Sequence, residues 1–171
     1  MRNNNKEAWS GLKAKSIYET LLKETDALLA PESDWLANLA NSAALVFNIL
    51  PDLNWAGFYL QKRGELVLGP FQGKPACVRI PLGRGVCGTA ALEKQTQIVP
   101  DVHLFPGHIA CDVASRSEIV VPIMLEGKVW GVLDLDSPYE GRFSRLDQDY
   151  LEKLVEILHK YVDWPTAYGT T

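Results

Sequence analysis

The sequence lacks several features that would assign it at once to a membrane, secreted or nucleic-acid-binding class. Its longest apolar stretches, Ser42–Leu50 and Ile119–Leu125, are interrupted by Asn48 and Pro122 and are far too short to span a bilayer. The polar start has no apolar segment of the secretory type. Lys and Arg are not clustered, and the formal net charge is −4, which argues against nucleic acid as a partner. We therefore expect a cytoplasmic protein that binds neither membrane nor nucleic acid.

The chain also lacks internal repeats and low-complexity linkers, and this favours one domain. With 171 residues, of which 47% are apolar and 22% charged, it is typical of a globular protein with a sizeable core. We predict a single domain over residues 1–171, with an ordered core at residues 15–162, helices at the N-terminal side and one helix at the C-terminal side.

Hydrophobic periodicity predicts an α+β fold with an antiparallel sheet flanked by helices. Helices are expected over Lys15–Leu29, after the cap Asp34, over Cys87–Glu93, and after Ser144, where Ser144-x-x-Asp147 forms a capping box. Strands are predicted in two hairpins, 55–60 with 65–68 and 118–125 with 128–136, and in two short segments at 78–81 and 98–99. Residues 101–117 are predicted to be irregular, and a loop of that length in a small domain is usually functional.

Cysteine is scarce, and all three cysteines lie in the middle third of the chain. Cys77, Cys87 and Cys111 stand among glycines, prolines or charged residues rather than in an apolar run. Buried structural cysteines belong in apolar stripes, whereas thiols in polar surroundings are more often reactive. In a reducing compartment, an odd number of cysteines is not typical of a disulfide framework. We therefore expect that two of the cysteines form a catalytic or redox-responsive pair and that the third lies outside this pair.

The segment Gly83–Gly88 matches the pattern G-x-G-x-x-G but does not indicate dinucleotide binding. The neighbouring strands are predicted to be antiparallel, and no acidic residue ends a following strand about twenty positions further on. A tight turn into a helix is the better interpretation. It would place Cys87 in the first helical turn, where the helix dipole favours a thiolate.

A zinc site is an alternative role for the thiols. Zinc accepts ligands such as Cys77, Cys87, Cys111, His103 and His108, but neither C-x-x-C nor H-x-x-x-H spacing is present. The two histidines are more typical of an exposed loop that shapes or screens a pocket.

Two pairs of residues are spaced so that each pair shares one face of a strand. Asp134 and Asp136 either emerge into solvent at a strand end or bind a cationic group such as an amine, with Glu118 close to them across the ladder. Trp55 and Tyr59 belong either to the core or to the wall of a small-ligand pocket.

Four segments of the chain together resemble one known family. They are Asn54–Tyr59, Pro75–Ala91, His108–Ile123 and Gly131–Pro138, and they closely resemble the free methionine-(R)-sulfoxide reductases, which are single-domain GAF proteins. The cysteine triplet, with spacings of ten and twenty-four residues, is specific to that family. A generic GAF domain would share the glycine turn and the last strand but not the three thiols.

This resemblance implies a fold and a chemistry. The fold is a six-stranded antiparallel sheet with helices on its faces, and the substrate is free L-methionine-(R)-sulfoxide, enclosed under a loop. Cys111 corresponds to the nucleophile, Cys77 to the resolving thiol, and Cys87 to a third redox thiol that resolves or relays. The order of Cys111 and Cys87 stays open, because the helix start favours Cys87 on local electrostatics.

The resemblance also implies a binding site and partners. Glu118, Asp134 and Asp136 would bind the substrate ammonium, and Trp55 and Tyr59 would form an aromatic wall for its S-methyl end. It further implies a sulfenic acid and an intramolecular disulfide, recycling by thioredoxin, no metal or organic cofactor, and a homodimer. The alternatives are a non-catalytic GAF module that binds a small molecule and a thiol redox sensor.

Overall fold

A computed structural model describes residues 11–107 and 112–165 of the chain. In these residues a six-stranded antiparallel sheet is flanked by four α-helices, which confirms the predicted fold class. The helices are α1 (Gly11–Leu29), α2 (Trp35–Ile49), α3 (Gly85–Glu93) and α4 (Arg145–Tyr161). The strands are β1 (Trp55–Lys62), β2 (Glu65–Gly73), β3 (Arg79–Pro81), β4 (Gln97–Val99), β5 (Ser117–Leu125) and β6 (Lys128–Ser137), in the sheet order β3-β2-β1-β6-β5-β4.

The elements lie where the sequence predicts them, with differences at their ends. The second strand continues through Pro70 to Gly73, because pairing with β1 extends beyond the alternating segment 65–68. The segment predicted to be irregular contains a short 3₁₀ helix, Val102–Leu104, in which the His103 N–H donates to the Asp101 side chain. No helix in the described part of the chain is both long and apolar enough to cross a membrane.

The two faces of the sheet carry separate apolar cores. Leu133 and Leu135 of β6 pack with α1, α2 and α4 on one face. Val132 of the same strand packs with α3 on the other face, together with Trp55 and Tyr59 of β1. Because side chains alternate along a strand, Asp134 and Asp136 must point to the α3 face, opposite to Leu133 and Leu135. That face therefore holds the predicted site residues.

A buried polar network around Asp147 joins the helices of the first face. The Arg142 guanidinium lies 2.8 Å from Asp147 Oδ1, and the Tyr18 hydroxyl donates to the same atom at 2.8 Å. The Ser144 N–H donates to Asp147 Oδ2 at 2.8 Å, which confirms the predicted capping box. Burial raises the pKa of Asp147, but the hydrogen bonds from Ser144 and the charge of Arg142 outweigh it, so the pKa is lowered.

Candidate active site

Strand register brings three carboxyl groups together on the α3 face. Glu118 of β5 lies directly opposite Asp136 of β6, and Asp134 lies two residues away on the same face. Glu118 and Asp134 are buried, with only 6% and 5% of their surfaces exposed, and Asp136 is half-buried. The predicted shared face is confirmed, whereas a strand end emerging into solvent is excluded for Asp134. Like charges placed opposite one another destabilise a sheet, so this arrangement has a cost that packing does not explain.

Helix α3 adds a thiol to the carboxyl groups. The Cys87 thiol is buried and free, and its sulfur lies 3.8 Å from Glu118 Oε1. Gly88 allows α3 to lie close to the end of β3, because a Cβ there would lie 2.4 Å from the carbonyl oxygen of Pro81. One ligand atom each from Cys87, Glu118 and Asp134 lie within 4.8 Å of one another.

Burial controls the protonation of the three carboxyl groups. It raises the pKa of Asp134 to about 7, although hydrogen bonds with Cys87 and Glu118 act in the opposite direction. Burial, followed by the charge of Asp134, raises the pKa of Glu118 and of Asp136 well above the ordinary range. No Lys, Arg or His in the described ranges forms an ion pair with any of the three. The cluster therefore holds protons near neutral pH.

The predicted thiolate at Cys87 is wrong for this structure. Cys87 does lie in the first turn of α3, but burial, then the charges of Asp134 and Glu118, raise its pKa well above the ordinary value. A helix dipole contributes about 0.3–1 kcal/mol, which is less than a single pKa unit represents. Desolvation and neighbouring negative charge therefore outweigh the helix start, and Cys87 is a neutral thiol.

The cluster lies in a cavity of about 390 Å³ of empty space, its open mouth included. The N-terminal turn of α3 forms one side, and the exposed cation Arg84 stands at that turn. The lining residues are Tyr59, Ile80, Arg84, Gly85, Val86, Cys87, Asp112, Ser115, Glu118, Asp134 and Asp136.

The two predicted aromatic residues have different positions. Tyr59 lines the cavity, whereas Trp55 is absent from the described lining and stacks on Tyr59, with ring centroids 5.8 Å apart. Phe71 stacks on Trp55 in turn, at 5.3 Å. Trp55 Nε1 is buried and has no hydrogen-bond partner within residues 11–107 and 112–165.

Of the other predicted cysteines and histidines, two lie within the described residues and two lie outside them. Cys77 belongs to a disulfide, and its backbone carbonyl accepts a hydrogen bond from the Tyr59 hydroxyl at 3.0 Å. His103 is exposed in the 3₁₀ helix, while His108 and Cys111 lie outside the described residues. A disulfide sulfur is not a metal ligand, so the alternative zinc site that includes Cys77 is not formed in this state.

Sequence analysis missed a polar cluster that enters the cavity beside residue 111. Asn54 Nδ2 donates to Asp112 Oδ2 at 3.2 Å and to Ser115 Oγ at 3.0 Å, and Lys74 Nζ lies 3.6 Å from Asp112 Oδ2. Asp112 and Ser115 both line the cavity. The position of Asp112 directly after Cys111 was the only signal in the sequence that could have indicated it.

The fold and the site define the class of protein. Residues 24–159 match the model of the GAF domain, and the chain belongs to the GAF-domain proteins.

Similarity to known proteins identifies the family within that class. The chain is 55% identical over 144 residues to the free methionine-R-sulfoxide reductase of Escherichia coli, covering 84% of this chain and 87% of that protein. It is 48% identical to the free methionine-R-sulfoxide reductase of Saccharomyces cerevisiae, covering 88% of each chain. The X-ray structure of free methionine-R-sulfoxide reductase from Neisseria meningitidis, in complex with its substrate, matches with a TM-score of 0.85 and 46% identity, over 89% of this chain and 92% of that one. The chain belongs to the family of free methionine-R-sulfoxide reductases, a group of oxidoreductases.

Proposed function

We propose that this chain reduces free L-methionine-(R)-sulfoxide to L-methionine. The observation that carries the proposal is a trio of carboxyl groups, two buried and one half-buried, that line one cavity and form no ion pair with a cation of the described chain. Burial keeps these carboxyl groups protonated in the empty site, and a positively charged ligand would stabilise their ionised form, so the site is complementary to such a ligand. The ammonium group of a free amino acid supplies that charge.

The same requirement explains why the substrate would be the free amino acid. A methionine sulfoxide residue inside a protein has an amide in place of the ammonium, and it would leave Glu118, Asp134 and Asp136 uncompensated. The substrate carboxylate is suited to the opposite side of the cavity, where the α3 N-terminus offers N–H groups and Arg84 offers a charge. The ring of Tyr59, backed by Trp55, is suited to the S-methyl end.

Two observations favour Cys111 rather than Cys87 as the nucleophile. The raised pKa of Cys87 keeps it protonated, and the thiolate is the reactive form. Asp112, the next residue along the chain from Cys111, lines the cavity. Cys77 is in a disulfide while Cys87 is free, so Cys111 is the remaining cysteine of the chain and the partner that we propose for Cys77.

The reaction then proceeds in two steps. The Cys111 thiolate attacks the sulfoxide sulfur, and a protonated carboxyl group of the cluster gives a proton to the sulfoxide oxygen. The bond between Cys111 and the substrate sulfur then breaks as the protonated oxygen passes from that sulfur to Cys111. Methionine leaves, reduced by two electrons, and Cys111 is left as a sulfenic acid, oxidised by two electrons. The Cys77 thiol next displaces that oxygen as water and forms the disulfide, and an external dithiol reduces it. Thioredoxin as that dithiol, a cytoplasmic location and a homodimer stay predictions.

The test is methionine release from each sulfoxide epimer by the reduced protein. We expect turnover with the (R) epimer only, no release from Cys111→Ser, and one methionine per protein from Cys77→Ser in the absence of an external thiol. Release from Cys111→Ser would contradict the assignment of the nucleophile. Release from neither epimer would support a GAF sensor or a thiol redox sensor instead.

A further inference from the structure

We propose that Cys87, Glu118 and Asp134 form a binding site for a soft divalent cation, such as Zn²⁺ or Cd²⁺, and that this ion excludes the amino-acid substrate. The exclusion rests on the proposed function, whereas the ion site itself does not. The ion is an inhibitor here, and no step of the proposed reaction needs it.

The spacing of the ligand atoms fits a small tetrahedral ion. The Cys87 sulfur and Glu118 Oε1 are 3.8 Å apart, and the ligand atoms of all three residues lie within 4.8 Å of one another. Bonds of about 2.3 Å to sulfur and about 2.1 Å to oxygen place tetrahedral ligands about 3.5 Å apart. The distances between ligand atoms therefore have to shorten by at most about 1.3 Å for the cluster to hold the ion.

An unpartnered oxygen points to a missing ligand. Asp134 is 5% exposed, and its Oδ1 atom is buried with no hydrogen-bond partner among the described residues. A buried polar atom without a partner costs about 1–3 kcal/mol, so a ligand that binds it recovers that energy. The same residue lines the cavity, which gives an ion a path from solvent and a place for a water molecule in the fourth position.

The donor set selects the class of ion. A thiol with two carboxyl groups suits zinc and cadmium, which accept sulfur, whereas Mg²⁺ and Ca²⁺ require six or more oxygen ligands. Cys87 is free while Cys77 is in a disulfide, so the site exists in the oxidised protein, where no other cysteine of the described chain offers a thiol.

Ion and substrate would compete for the same groups. The carboxyl groups of Glu118 and Asp134 are those proposed to bind the substrate ammonium, and they cannot hold two cations at once. The ion site and the substrate pocket therefore use the same carboxyl groups. A bound ion prevents binding of the substrate, and a bound substrate prevents binding of the ion.

Cys87 is a neutral thiol in the empty site, and its proton passes to solvent when the ion binds. The experiment titrates Cd²⁺ into the oxidised wild-type protein and follows the thiolate-to-metal charge-transfer absorption. We expect one saturable site per chain. Cys87→Ser should abolish the absorption band, and Asp134→Asn and Glu118→Gln should keep the band but weaken binding by tenfold or more. Glu126→Gln, at an exposed carboxyl group on the β5–β6 turn, is the matched control and should bind as the wild type does.

Competition is measured by repeating the titration with each epimer of free methionine sulfoxide. The (R) epimer should raise the apparent Kd for Cd²⁺, and the (S) epimer, which chelates the metal in solution equally well, should not. The ion site is overturned if the band is absent or survives Cys87→Ser, whatever the methionine-release assay shows. If Cd²⁺ binds but the (R) epimer does not compete, the exclusion is overturned. Circular dichroism checks that each variant is folded. If Cys87→Ser does not fold, the effect of Asp134→Asn on Cd²⁺ binding decides whether the ion site exists.

Discussion

Asp134 shows how one residue connects the stability of this domain with its chemistry. Its carboxyl group is buried beside two others, and burial raises its pKa to about 7, compared with about 3.9 in an unfolded chain. Between these two pKa values the folded state holds a proton that the unfolded state has released. The stability contributed by this group is therefore fully present at low pH and is lost as the pH rises through that window.

The substitution Asp134→Asn should remove this pH dependence. In the wild type we expect Asp134 to reduce the free energy of unfolding by about 1.4 kcal/mol for each pH unit between about pH 4 and pH 7. The variant should show a flatter profile and higher stability at pH 8, together with a loss of reductase activity, because an amide does not neutralise an ammonium group. Urea unfolding at several pH values measures it, with Asp149→Asn at an exposed site as the control. Parallel profiles for wild type and Asp134→Asn would contradict the assigned pKa.

On the scale of elements, the site depends on side-chain hydrogen bonds that hold two segments, one between β2 and β3 and one before β5, against β1 and the residue before it. The hydroxyl of Tyr59, in the middle of β1, bonds to the carbonyl of Cys77 in the segment between β2 and β3. Asn54, just before β1, holds Asp112 and Ser115. The Cys77 carbonyl is thus held by β1, and residues 112–115 are held by the residue that precedes this strand.

Removing the hydroxyl of Tyr59 should slow disulfide formation more than methionine formation. In Tyr59→Phe the ring still lines the cavity and stacks on Trp55, but the Cys77 carbonyl loses its donor. One such hydrogen bond contributes about 0.5–1.5 kcal/mol, so we expect resolution to slow by about two- to tenfold. Quenched-flow measurement of methionine and of free thiols separates the two steps. Tyr139→Phe, at an exposed tyrosine, is the control, and an equal slowing of both steps would contradict a role in positioning Cys77.

On the scale of the whole molecule, the buried pair of Asp147 and Arg142 holds α1, α4 and the segment between β6 and α4 together. The side chains of Asp147 and Arg142 are 0% and 3% exposed, and the hydroxyl of Tyr18 in α1 donates a hydrogen bond to Asp147. Because the pKa of Asp147 is lowered, its contribution to stability is present above the unfolded pKa and is lost as the pH falls below it. This dependence is opposite in sign to that of Asp134.

The substitution Asp147→Asn should destabilise the fold without changing the chemistry of the site. Leaving Arg142 buried without its partner costs about 3–5 kcal/mol. The exposed pair of Arg145 and Asp149 provides a control, since Asp149→Asn should cost about 1 kcal/mol or less. Thermal unfolding measures the difference. A change in KM for the sulfoxide in the folded fraction of Asp147→Asn would contradict a purely structural role.

The local pattern of the sequence predicted much of this molecule. Periodicity alone located the helices and strands and placed Asp134 and Asp136 on one face, because strand alternation is set by the backbone of each strand. Composition predicted that no segment spans a membrane, and cysteine placement predicted redox chemistry. These properties depend only on neighbours along the chain.

Only the tertiary structure decided the rest, because it depends on contacts between distant segments. The register of β5 against β6 placed Glu118 opposite Asp136, and the packing of α3 buried Cys87 against them. The local helix start favoured a Cys87 thiolate, and this prediction was wrong because desolvation depends on what covers a residue. The sequence by itself therefore determined which groups are available, while folding determined their protonation and their proximity.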